Sequence, residues 1–196
     1  MSEKTWKPIK GEDQYRQFKK HLRLVEKRLS LASGFIVNSI NAGDDWSLAM
    51  KAGSVVEGAI NAAIDGFWFE AIGNEKIASK TARWLKRHPV NGANGKLALS
   101  KDLGLFSNAQ IKSARRIFAI RNQFAHDAAL MTTSLLSVYN SLDAGQKLEI
   151  FDDFIRDVEA LSEFPEEVRF RLAYGLDLMF FISNERIIAD VSQTLR

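Results

Sequence analysis

The 196-residue sequence predicts an all-α fold, a single-domain bundle of about seven helices. Three observations carry that expectation. Apolar residues recur at spacings of three and four along most of the chain. Only three prolines occur, Pro8, Pro89 and Pro165, and helix-period patterns fill the intervals between them. No alternating strand pattern, low-complexity segment or clear internal repeat interrupts those patterns.

The first amphipathic helix is expected over about 12–31, with Tyr15, Phe18, Leu22, Val25 and Leu29 as its apolar stripe. A second, over about 47–72, carries Val56, Ile60, Ile64, Phe67 and Ala71. Gly53, Gly58 and Gly66 weaken its intrinsic propensity, so close packing against a neighbour is expected to hold it. A third helix, about 75–88, ends before Pro89. Asn91-Gly92-Ala93-Asn94-Gly95 reads as a turn, and a short helix follows to Leu103, with Gly104 as its C-terminal stop. Ser107-Asn108-Ala109-Gln110 has the spacing of a capping box, which starts a central helix over 107–126. Helices over about 133–142 and 146–162 come next. Pro165 suits the first turn of a last helix or helix pair over about 165–192.

Composition narrows the function classes. At 46% hydrophobic and 26% charged, the chain has the balance of a globular domain, not of a disordered one. Without cysteine it can form no disulfide, thiolate nucleophile or cysteine-ligated zinc site. The N-terminal stretch Met1–Lys7 lacks the apolar core of a signal peptide. The most apolar late segment, Leu172–Ile182, is too short to span a bilayer and contains Asp177. A cytoplasmic protein without membrane, metal or cofactor is the expectation. Charge is uneven: residues 1–121 hold 21 Lys and Arg against 11 Asp and Glu, a balance of +10. Residues 122–196 hold 6 against 13, a balance of −7. The two parts either attract one another within the fold or leave a basic surface for phosphates.

The densest chemistry lies in Ile120-Arg121-Asn122-Gln123-Phe124-Ala125-His126. At about 100° per residue, Arg121 bisects an arc of apolar side chains formed by Ile111, Ala114, Ile117, Phe118, Ile120 and Phe124. Asn122 and His126 fall at its polar edge. A guanidinium in such an arc needs a partner to offset its desolvation. In one reading the partner is structural: Glu57, itself set among Val56, Ile60 and Ile64, forms a buried ion pair with Arg121. In the other the group is catalytic, as metal-independent phosphodiester chemistry on RNA. There His126 moves the proton of a ribose 2′-hydroxyl or leaving oxygen, Arg121 stabilises the phosphorane charge, and Asn122 holds a phosphate oxygen or orients His126.

Two basic stripes form a second candidate site, for nucleic acid. Arg16, Lys19, Lys20, Arg23 and Lys27 recur at helical spacing in the first helix, and Lys76, Lys80, Arg83 and Arg87 in the third. An ordinary solvated helix face has the same spacing. Other motifs fall short. Gly95-Lys96 lacks the first glycine of a phosphate loop, Asp152, Asp153 and Asp157 read as a solvated acidic face, and His21 and His88 have no ligand spacing. No stretch reads as a helix-turn-helix.

Several blocks over about 50–192 resemble the mannitol-operon-repressor-like family of bacterial helical proteins. They are Val55-Val56-Glu57-Gly58-Ala59-Ile60, Gly95-Lys96-Leu97-Ala98-Leu99, Leu103-Gly104-Leu105, Ile117 to His126, and Phe170-Arg171-Leu172-Ala173. The resemblance divides the chain into a basic helical extension, 1–49, packed on a family domain, 50–196. It implies a transcriptional regulator, repressor-like, that acts through protein partners. The Arg121-Asn122 pair with His126 also looks like the signature of the broader HEPN superfamily. That likeness implies a metal-independent endoribonuclease, toxic or defensive, with Arg121, Asn122 and His126 catalytic and paired sites formed across a homodimer. Other members of that superfamily are non-catalytic binding modules. RNA or DNA contact through the basic helices is compatible with either implication.

Overall fold

The computed structural model describes residues 12–188, with side chains described from Arg16 onward. Those residues form ten α-helices and two short 3-10 turns, and no strand occurs among them. The all-α expectation holds, with ten helices where about seven were expected. The side chain of Tyr15, assigned to the first apolar stripe, and residues 189–192 of the expected last helix lie outside what is described.

Helix α1 spans Glu12–Arg28 and buries Leu22 and Val25. Helix α2, Phe35–Asn41, has no counterpart in the sequence expectation. Seven residues are too few to hold a helix by propensity, and its N-cap position, Gly34 at φ 81°, supplies no capping side chain. The cap comes from α1: the buried Glu26 carboxylate accepts hydrogen bonds from the backbone N–H groups of Gly34 at 2.9 Å and Ile36 at 3.1 Å. His21 joins the same helix to the far end of the chain. Its Nε2 lies 2.8 Å from the Ile182 carbonyl, one of the oxygens the last helix leaves without an internal partner.

Helix α3, Asp45–Ile72, is about 42 Å of unbroken helix at 1.5 Å per residue, so the 49/50 division drawn from sequence falls inside it. Helices α4 (Glu75–Leu85) and α5 (Lys96–Asp102) pack along it. Helix α6, Asn108–His126, opens with the expected capping box between Ser107 and Gln110. Ile111, Ala114, Ile117, Phe118, Ile120 and Phe124 on α6 are all buried, between α3 on one side and the last long helix on the other. The central-helix expectation is met.

Helices α7 (Leu135–Ser141), α8 (Ala144–Ile150) and α9 (Asp152–Ala160) are short. The single helix expected over 146–162 is broken at Phe151, whose φ −115° and ψ 0° leave the helical basin. The break turns the Phe151 ring into a cluster with Tyr139, Phe154 and Phe170, with centroid separations of 5.0–5.6 Å. Packing of that cluster overrides the continuous periodicity. Helix α10, Glu166–Ile182, closes the bundle.

Two ion pairs, one partly and one fully buried, set the registers. Asp45 at the start of α3 accepts from the Leu135 backbone N–H at 2.8 Å and from Arg171 Nε at 2.5 Å, tying α3, α7 and α10 together. Deeper, Arg116 on α6 donates from Nε and Nη2 to Asp177 on α10 at 2.5 and 2.6 Å. Its Nη1 reaches the Ile150 carbonyl and Asp153, both at 2.9 Å, and Ser113 Oγ completes the cluster on Asp177 at 2.9 Å. Arg116 and Asp177 are 4% and 6% exposed, so almost every donor and acceptor in the cluster must be met by protein.

Removing one member strands the other. Arg116→Met or Asp177→Leu alone is expected to cost about 3–5 kcal/mol in urea unfolding, and the double variant much less than their sum. Additive costs would show that the pair is not coupled. Nearer the surface, the Lys112 ammonium on α6 holds the Asp152 carboxyl down at about 2, against about 3.9 in an unfolded chain. A depressed carboxyl stabilises the fold above its unfolded value, and the effect is lost as pH falls through the folded one. The stability gap between wild type and Asp152→Asn should be constant above about pH 5, shrink as pH falls through about 2, and close by about pH 1, as read by thermal melts across that range.

Candidate binding cleft at Arg121

Where α6 crosses α3, the aliphatic stem of Arg121 lies across Gly53. A Cβ at position 53 would stand 2.9 Å from Arg121 Cγ, so only glycine lets the two helices approach this closely. The half-buried guanidinium then turns along α6, and Nη1 donates to Asn122 Oδ1 at 3.1 Å. Both side chains face an open cleft of about 330 Å³, shared with Glu57 and Ser54 of α3, Pro89, Val90 and Asn91 of the loop between α4 and α5, and Phe118. Gly58 is also a close approach, 3.3 Å from the Leu29 side chain, whereas Gly66 faces nothing within 4 Å.

Glu57 is not the partner of Arg121. Its Oε1 accepts from Lys96 Nζ at 2.7 Å, and Lys96, at 1% side-chain exposure, is the buried member of the pair. A second Nζ hydrogen reaches the Lys86 carbonyl at 3.3 Å. The reason is local. Lys96 is the first residue of α5, and the preceding loop folds tightly over that end, with Lys96 N–H bonding the Pro89 carbonyl and Leu97 N–H the Val90 carbonyl. At Gly95 a Cβ would come within 2.5 Å of the Asn91 carbonyl oxygen, so this glycine serves backbone crossing, not a phosphate. The lysine is thereby aimed at α3 and reaches Glu57 first. Arg121 meets its desolvation instead through half-exposure and Asn122.

The expected catalytic group is divided. Arg121 and Asn122 line the cleft, while His126, one turn past Asn122, is exposed at the end of α6 and does not line it. The neighbouring Asp127 is occupied as a cap, its Oδ1 accepting from the Ala129 N–H at 2.9 Å. The acidic residues of α9 are not a plain solvated face. Asp152 and Asp153 pair with Lys112, and Asp153 also with Arg116. Asp157 is pushed up from the usual carboxylate value by partial burial and by the charge of Asp177. Among the described residues no group of three or more His, Asp or Glu side chains is placed to hold a metal ion.

All nine residues of the basic stripes are exposed: Arg16, Lys19, Lys20, Arg23 and Lys27 on α1, and Lys76, Lys80, Arg83 and Arg87 on or just past α4. Among the described residues, none of the four at α4 lies within ion-pair distance of a carboxylate. His88 packs edge-on against Trp84 at a centroid distance of 4.5 Å.

Sequence reasoning missed Lys96 as the partner of Glu57, and the Arg116–Asp177 pair altogether. The second was visible in outline. Asp177 is a lone acid in the apolar run of α10, and Arg116 is one of three arginines on the enclosed helix, beside Ile117 and Ser113; each had to find an opposite charge.

A planar fork, an amide and a carboxylate surround the cleft with anion-binding and cation-binding groups, and no histidine, lysine amine or hydroxyl pair stands as nucleophile and base within it. The Gly53 approach has a test with a change of sign. Gly53→Ala should destabilise wild type by about 1–3 kcal/mol, yet prove neutral or stabilising in an Arg121→Ala background, where the obstructing stem is gone. Equal effects in both backgrounds would show that Arg121 does not press on Gly53.

No family model, curated protein or solved structure matches this chain.

Proposed function

We propose that this protein is a non-enzymatic helical binding module of the repressor-like kind, a transcriptional regulator that acts through a protein partner. The observation that carries the reading is the separation of His126 from the Arg121 cleft. A ribonuclease site needs an acid–base group and a charge stabiliser around one phosphate, and within one protomer the two do not share a cleft. What the cleft offers is recognition: the Arg121 fork, the Asn122 amide and the Glu57 carboxylate around an opening walled by Val90, Pro89 and Phe118. Nucleic-acid contact belongs to the exposed basic stripes, as a sequence-tolerant electrostatic surface.

One observation favours a second reading, a HEPN-type metal-independent endoribonuclease. His126 is exposed one helical turn from Asn122, so the His126 of a second copy has access to the open side of the cleft in a homodimer.

Total RNA incubated with the protein in EDTA separates the two. The binding-module reading predicts no cleavage above that of His126→Ala, and a transcript profile that changes on Arg121→Gln while the variant stays folded. Cleavage lost on His126→Ala, and on Arg121→Gln with it, would overturn the ranking in favour of the nuclease.

A further inference from the structure

We infer that the outer flank of α4 is a binding face for single-stranded polynucleotide, with Trp84 as the base-stacking platform. The inference rests on the nucleic-acid reading of the basic stripes and goes beyond it, since a basic stripe alone does not distinguish a duplex from a single strand.

The geometry of α4 divides its solvent side into two parallel tracks. With the buried Ala78, Ala82 and Leu85 taken as facing the core, Lys76, Lys80 and Arg83 fall within about 50° of the opposite direction, at about 100° per residue, and Arg87 lies in the turn just past the helix. Ile77 and Trp84 fall on one flank, about 105–130° from the core direction, and His88, just past the helix, packs against Trp84. The flank is apolar and open: Ile77 is 53% exposed and Trp84 59%. Beside four unpaired cations, the Trp84 ring contacts His88 edge-on but adds nothing to the core, which the helix already seals through Ala78, Ala82 and Leu85.

The flank also borders a slot. Trp84 and His88 form one wall of a cleft of about 300 Å³, closed on the other side by Asn94, Leu99 and Asp102. The chemistry of the slot separates base from phosphate. The Asp102 carboxylate repels a phosphate but accepts a hydrogen bond from an exocyclic amino or ring N–H group of a base, and Asn94 can both donate and accept. The cations one track over take the phosphates. An acidic protein segment would meet the same cations, but it has no use for an exposed indole beside a carboxylate. A duplex keeps its bases stacked inside and presents no base face to the indole. Single strands present both groups at once, a charged backbone and free π-faces.

The test is fluorescence anisotropy of labelled dT20 and rU20, with a 20-base-pair duplex and heparin as competitors, across a salt series. Trp84→Ala should weaken binding of both single strands by about 5- to 150-fold without changing the salt slope. Trp84→Phe should retain most of it, which also guards against a folding defect in the alanine variant. The triple variant Lys80→Gln, Arg83→Gln, Arg87→Gln should reduce the slope of log K against log salt by up to about 2, at roughly 0.7 per phosphate on a single strand. A preference for dT20 or rU20 identifies the physiological polymer and supports the inference either way. If duplex or heparin competes as well as the single strands and Trp84→Ala changes nothing, the stripe remains an electrostatic surface and the stacking platform is overturned. If neither strand nor duplex binds at low salt, the nucleic-acid reading of the stripes falls with it.

Discussion

The Arg116–Asp177 pair is the interaction on which the rest of the fold depends. Helix α6 is enclosed by α3, α10 and the short helices, so a charge on its inner side has no route to water. Each ion costs several kcal/mol to desolvate, which restricts the helix to orientations that satisfy the guanidinium fully. Bidentate contact with Asp177 fixes α6 against α10, and the Ile150 carbonyl and Asp153 fix it against the α8–α9 break. Few rotations of α6 meet all those partners at once. Arg121 follows five residues later, about 140° round the helix and about 7.5 Å along it. The placement of the cleft is therefore a consequence of where Arg116 is anchored.

The uneven charge of the chain has two fates in the structure. Part of it is internal attraction, because cations of α6 pair with acids from the C-terminal part: Lys112 with Asp152 and Asp153, Arg115 with Glu149 at 3.5 Å, and Arg116 with Asp177. The α4 cations stay outward. Buried pairs of this kind specify register more than they add stability, whereas the outward charges set what the surface attracts. The two candidate sites divide along the same line. The cleft lies at the α3–α6 crossing and combines opposite charges, while the α4 flank is basic and aromatic.

Legibility followed the physics of each element. The long helices α1, α3 and α6 could be read from the period of their apolar residues, and the capping box placed the start of α6 because its two hydrogen bonds are local. Helix α2 could not, since its stability comes from Glu26, eight and ten residues away from the amides it caps. The α8–α9 break was equally hidden, because ring packing among Tyr139, Phe151, Phe154 and Phe170 decides it. At the site, periodicity placed Arg121 in the apolar arc, where its stem packs on Gly53 while its guanidinium turns into the open cleft, and gave Asn122 and His126 an edge. It could not choose among partners. Glu57 had a suitable arc, but the tight loop before Lys96 delivered a closer cation. Pairing depends on which chain segment arrives, and helical spacing holds no information on that.

Native-state hydrogen exchange tests the central claim that an enclosed, charge-anchored α6 organises the molecule. The account predicts that amides of residues 113–120 on α6 and 173–181 on α10 exchange only through global unfolding, with matching free energies and the slowest rates in the chain. Exchange of 113–120 through a local opening well below the global value, while α10 or α3 stays protected, would contradict it.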